Sequence, residues 1–103
     1  MLRSTGSDTS LSEAIGQRQL VHFEWQSQTW LPLFQFDLVR MQPRSALSCV
    51  LAELNGIYNN DEVAEWFSRI NPWLNGRSPA QELVSHPAAV VDAASAEVFV
   101  VRG

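Results

Sequence analysis

The chain has 103 residues and a formal net charge of −4, with 11 acidic residues against seven arginines and no lysine. That length suits one domain with a modest core, and a composition 46% hydrophobic with four tryptophans excludes a disordered tail. The charge balance argues against sequence-independent binding to phosphate backbones, which needs clustered cations, and no run approaches the ~18 apolar residues of a membrane span.

Residues 1–10 are small and polar, with nothing periodic to bury, and read as disordered. Residues 10–15 can form one helical turn, with Ser10 and Glu13 spaced as a capping box and Gly16 ending it. Residues 1–16 are therefore a flexible N-terminus or a short helical remnant, and residues 17–103 are the domain proper.

Over residues 20–36 the period changes to two. Val21, Phe23 and Trp25 alternate with His22, Glu24 and Gln26, and Trp30, Pro32, Phe34 and Phe36 alternate with Leu31, Leu33 and Gln35. This spacing predicts two strands joined at Ser27 and Gln28, with Trp25 facing Trp30. The turn has no Gly or Asn to favour a primed geometry. Pro32 cannot donate to a ladder, so it puts the second strand at an edge or breaks it.

Beyond Pro43 the pattern is helical. Leu47, Val50, Leu51, Leu54, Ile57 and Tyr58 form one stripe, which Asn55 and Gly56 fray or close. Asn59 caps the next helix, Asp61 and Glu62 suit its first turn, and Val63, Trp66, Phe67 and Ile70 form its stripe. Pro72 pushes Asn71 out of the α region, Asn75 and Gly76 tolerate positive φ, and Ser78-Pro79-x-Gln81 is an N-cap with Pro at N1. A third helix from Pro79 to about Ser85 buries Leu83 and Val84. Pro87 opens a fourth through Ala88, Val90, Val91 and Ala94. The β-branched residues 97–101 read as a C-terminal strand. The sum is an α+β domain, an N-terminal β-hairpin followed by about four short helices.

Chemistry is sparse. There is no Walker loop, no G-x-G-x-x-G and no Cys or His pair at metal spacing, so neither a metal nor another cofactor is expected. His22 falls on the polar face of a strand and His86 next to Pro87 as a helix cap, neither with a nucleophile or orienting acid nearby in sequence. Asp61, Glu62 and Glu65 are accounted for by the helix dipole and solvation. Cys49 reads as a small buried thiol on an apolar face, and its being the single cysteine fits a reducing cytoplasm. An enzyme is not expected.

Tryptophan is enriched at binding hot spots. Trp66 belongs to a core stripe, whereas Trp73 sits in the turn, where it either folds over the helix pair or projects outwards. Val98, Phe99, Val100 and Val101 at an exposed terminus need a cover.

Several of these residues resemble a known family, the toxin-binding domain of the Xre/MbcA/ParS-type antitoxins. The similarity runs over residues 20–94 and is carried by Leu33-Phe34-Gln35-Phe36-Asp37, Ala64-x-Trp66-Phe67, Asn71-Pro72-x-Leu74-x-Gly76-Arg77-Ser78-Pro79 and Leu83. The resemblance implies a cognate toxin as partner, typically a RES-domain protein that consumes NAD and is silenced by obstruction of its active-site entrance. The family domain usually follows a helix-turn-helix; none is complete upstream of Leu20, so DNA binding is not expected. Residues 95–103 do not follow the usual family pattern.

On this reading the fourth helix and apolar tail dock on the toxin, with candidate contacts Trp73, Arg77, Val98, Phe99, Val101 and Arg102. A homodimer that pairs its hairpin edges or apolar tails without any toxin is the alternative. A nucleic-acid-binding remnant, with the aromatic hairpin as a stacking surface, is a weaker third reading that the acidic charge opposes.

Overall fold

The computed structural model describes Leu2, Arg3 and residues 9–103. It is a mixed α+β fold in which short helices pack beside two small antiparallel sheets. The remaining N-terminal positions, part of the segment expected to be disordered, lie outside the described residues. Within that segment Leu2–Arg3 forms a strand, β1, and Thr9–Gly16 a helix, α1. The strand corrects the reading of residues 1–10 as wholly without structure: β1 pairs antiparallel with residues 30–31, Leu2 opposite Leu31 and Arg3 opposite Trp30.

The hairpin comprises β2, Phe23–Trp25, and β3, Gln28–Leu31. Its turn is at Gln26 and Ser27, one residue earlier than the alternation suggests, and both have positive φ, 52° and 61°. A two-residue loop between twisted antiparallel strands demands that conformation even where no Gly or Asn supplies it. Strand order is β1-β3-β2, so β3 is central. Pro32 ends it, because a residue without an N–H has no place in a strand paired on both sides. Trp25 lies opposite Gln28 and Trp30 opposite Phe23, so the two indoles meet on the diagonal, their centroids 5.9 Å apart. A 3₁₀ turn, Leu33–Gln35, then leads into β4, Phe36–Asp37, which pairs with β5, Gln42–Pro43.

The helices are α2, Leu47–Leu54; α3, Asn60–Ser68; α4, Pro79–Ser85; and α5, Pro87–Arg102. Asn59 and Ser78 cap α3 and α4 as expected, each in a capping box, with Glu62 and with Gln81; Ser10, expected to cap the first helix, instead lies inside α1, which starts at Thr9. Between α3 and α4, Asn71 is extended and its side chain accepts from the Trp73 N–H at 2.9 Å. A 3₁₀ turn over Pro72–Leu74 follows, and Asn75 and Gly76 take the left-handed conformation, φ 57° and 78°. The backbone returns on itself, the Asn71 N–H donating to the Arg77 carbonyl at 2.9 Å.

The core gathers Leu20, Val21, Leu31, Phe36, the stripe Leu47, Val50, Leu51 and Leu54, then Val63, Trp66, Phe67, Leu74, Leu83, Val90, Ala93 and Ala94. Fully buried Gln35 is tolerated there because its carboxamide is spent on backbone: Oε1 accepts from the Val21 N–H at 2.8 Å, and Nε2 donates to the Val21 and Pro32 carbonyls, both at 2.9 Å.

Several expectations fail for identifiable reasons. Helix α3 ends at Ser68 and Arg69 is extended, so Ile70 leaves the helical phase and is 77% exposed. Val84 faces outwards because α4 turns Pro79, Glu82 and Leu83 inward. Cys49 is exposed, on the side of α2 away from Leu47, Val50 and Leu51. His22 precedes β2 and is buried, with Nδ1 3.1 Å from the Leu20 carbonyl oxygen. The C-terminal strand does not form: residues 97–101 continue α5, where extending an existing helix adds a backbone bond per residue without a new nucleus and overrides a weak β preference. Among the described residues no helix is long and apolar enough to cross a membrane.

Candidate protein-contact surface

Helix α5 organises the surface. Its buried stripe is Val90, Ala93 and Ala94; one turn later Glu97 and Val98 are half-buried; then the packing runs out. Phe99, Val100 and Val101 are 78%, 65% and 51% exposed. Three consecutive helical residues span ~200° of circumference, so at 3.6 residues per turn this end is apolar on more than one face.

Two contacts fix that end on the body of the domain. The Tyr58 hydroxyl donates a hydrogen bond to Oε2 of Glu97. That bond, followed by burial and the proximity of the Glu97 charge, pushes the Tyr58 phenol up to about 12 from its usual 10. The Arg102 guanidinium lies 3.5 Å from the Gly56 carbonyl, folded back on the loop between α2 and α3. A Cβ on Gly56 would stand 2.9 Å from Arg102 Nη2, so the loop and the arginine are in close contact.

The six candidate residues divide into two groups. Val98, Phe99, Val101 and Arg102 share the end of α5. Trp73 is exposed on the 3₁₀ turn that packs against α5, beside Pro72, which borders a cavity together with Ile70 and Glu97. Trp73 therefore projects outwards. Arg77 is elsewhere: its Nη1 lies 3.4 Å from Oε1 of buried Glu82, whose other oxygen is 2.8 Å from Nδ1 of His86. His86 immediately precedes α5, and Pro87 is ~18 Å along the helix axis from Phe99 at 1.5 Å per residue. Arg77 thus belongs to a polar cluster that joins α4 to the start of α5, remote from Arg102.

Two apolar features escape the sequence reading. Ile70 flanks the turn that carries Trp73. Leu38, Val39 and Met41 are exposed at the tip of the β4-β5 hairpin, where Oδ1 of Asp37 accepts from the backbone N–H groups of Val39 and Arg40 at 3.1 and 3.2 Å. The signal for this tip is weak: Leu38, Val39 and Met41, interrupted by Arg40, follow neither helical nor strand period. Among the described residues, no three His, Cys, Asp or Glu side chains converge as metal ligands. No protein-family model, curated protein or solved structure matches the chain.

Proposed function

We propose that this chain is a non-enzymatic, antitoxin-like module that binds and neutralises a toxin protein, and that the partner is a RES-domain protein consuming NAD. The observation carrying this reading is the end of α5, where Phe99, Val100 and Val101 stand exposed in succession while Tyr58 and Arg102 hold the helix in place. Apolar side chains displayed on a rigid element lose little conformational entropy on docking, and large exposed patches mark interaction surfaces. Trp73 and Ile70 extend the apolar character on the neighbouring turn. Arg102 contributes a positive charge at the tip, and Arg77, whose side chain is 66% exposed, stands apart from it beside Glu82.

The test is co-expression with a RES-domain toxin and measurement of the mass of the purified species. A stoichiometric complex that the double substitution Phe99→Asp, Val101→Asp abolishes supports the reading. A concentration-independent homodimer that the same substitution dissociates, with no toxin bound, replaces it by self-association.

A further inference from the structure

A groove of about 540 Å³ opens where β2 meets α3. From α3 it is lined by Asp61, Ala64 and Glu65, which share a helix face beside the buried stripe of Val63, Trp66 and Phe67. Phe23 and Glu24 line it from β2, and Phe34 from the 3₁₀ turn after β3. Phe23, Phe34 and Ala64 are half-buried, and the Phe34 ring is held against buried Phe67, centroids 5.0 Å apart. The groove thus joins a fixed apolar surface to three exposed carboxylates.

Those carboxylates are poorly compensated. Among the described residues that line the groove none is cationic, and Asp61 has no ion pair. Glu24 accepts through Oε1 from the neutral Thr29 hydroxyl at 2.8 Å. Glu65 meets Arg69 at 3.6 Å in a pair exposed on both sides, which contributes little. The helix dipole accounts for Asp61 in the first turn of α3, but it fades by Glu65 and does not reach Glu24 on a strand. Their convergence on one apolar groove is therefore not a by-product of helix capping.

Each part of the lining sets a requirement. Apolar surface with two phenyl rings takes an aliphatic stem and attracts a cation. Carboxylates on two different elements call for a positive group with donors in several directions. A guanidinium offers five N–H donors in one plane and sheds water more readily than an ammonium. An anionic group would be repelled, and an uncharged apolar one would desolvate carboxylates without pairing them. Free arginine would bring its own carboxylate to an acidic rim, on a chain whose net charge is already −4.

We propose that this groove docks an arginine side chain of a partner polypeptide, its stem against Phe23, Phe34 and Ala64 and its guanidinium between Glu24 of β2 and the Asp61 and Glu65 carboxylates of α3. The groove takes no residue from α5 and does not depend on the toxin reading.

The experiment uses the full chain labelled with ¹⁵N, following the Ala64 and Glu65 backbone signals while peptides of the form acetyl-Gly-X-Gly-amide are titrated at low salt. With arginine at X the signals move saturably. Citrulline, which keeps the shape and removes the charge, binds about tenfold more weakly, and the lysine peptide and free arginine also bind more weakly than the arginine peptide. The exposed double substitution Asp61→Asn, Glu65→Gln weakens the arginine peptide about tenfold. Ala64→Leu keeps every charge but fills the groove, and it weakens binding as well, which ion pairing on an open surface would not show. If Ala64→Leu fails to fold, weakening by Glu24→Gln, on the other element, replaces it. No saturable shift, equal binding of the citrulline peptide, or binding that survives Asp61→Asn, Glu65→Gln overturns the proposal; lysine or free arginine binding as tightly as the arginine peptide overturns its choice of partner.

Discussion

The Tyr58 hydroxyl donates to Glu97 across 39 residues of sequence, joining the junction of α2 and α3 to the last turns of α5. Without that bond the apolar end of α5 would be held mainly by half-buried Val98 and the long contact from Arg102 to Gly56. The bond therefore positions the surface to which binding is assigned.

A pH dependence follows from the Tyr58 shift. The folded state holds the phenol protonated to about 12 instead of 10, chiefly because it donates to Glu97. The raised value means that its contribution is complete below the unfolded pKa and is lost as pH rises towards the folded one. Urea denaturation midpoints are expected to fall between pH 10 and 12 in the native chain. In Tyr58→Phe that tyrosine-dependent part of the fall disappears, and stability at neutral pH is lower by about 1 kcal/mol. A native midpoint with no more alkaline sensitivity than Tyr58→Phe would contradict the account.

Gln35 is the second long-range fastener. Its carboxamide pairs with both backbone polar groups of Val21, as a neighbouring strand would. Gln35→Leu preserves bulk but takes this partner from the Val21 N–H and from the Val21 and Pro32 carbonyls, and the expected loss is about 3 kcal/mol. Equilibrium unfolding in urea measures it; a loss under ~1 kcal/mol would mean that water or backbone movement restores the bonds.

The hairpin turn contains an improvement the chain has not made. Gln26 and Ser27 both occupy the left-handed region, which costs residues with a Cβ about 1 kcal/mol or more. The double substitution Gln26→Asn, Ser27→Gly supplies the residues this turn favours. Thermal and urea midpoints should rise, by a stability gain of about 1 kcal/mol, without change in oligomeric state. A decrease would show that Gln26 or Ser27 makes a contact that outweighs its backbone conformation.

Local signals in the sequence account well for the segments they govern. Asn59 with Glu62, Ser78 with Gln81, Pro79 at N1 and the left-handed pair Asn75-Gly76 all follow from short-range chemistry, and the structure realises each. Periodicity also identifies Leu47, Val50, Leu51 and Leu54 as a buried stripe. What sequence does not disclose depends on distant partners. The extension of α5 through residues 97–101 continues a helix tied down at Glu97 by Tyr58, against a composition rich in β-branched valine. The strand at Leu2–Arg3 exists through pairing with β3, and Ile70 is displaced from its stripe by the extended backbone at Arg69. Of the proposed contact residues, Phe99 is legible as a large apolar residue needing a cover, whereas for Trp73 the sequence leaves folding over the helix pair and projecting outwards both open. The engagement of Arg77 with Glu82, and the burial of the Trp66 N–H without a partner among the described residues, depend on tertiary packing.

The central claim is that the end of α5 silences a toxin. The most direct measurement is the rate of NAD loss catalysed by a purified RES-domain toxin as this chain is added. The account predicts stoichiometric inhibition by the native chain and at least a hundredfold weaker inhibition by Phe99→Asp, Val101→Asp, with a far-UV circular dichroism spectrum unchanged by the substitution. An undiminished rate with native chain in excess, or equal inhibition by the substituted chain, would contradict it.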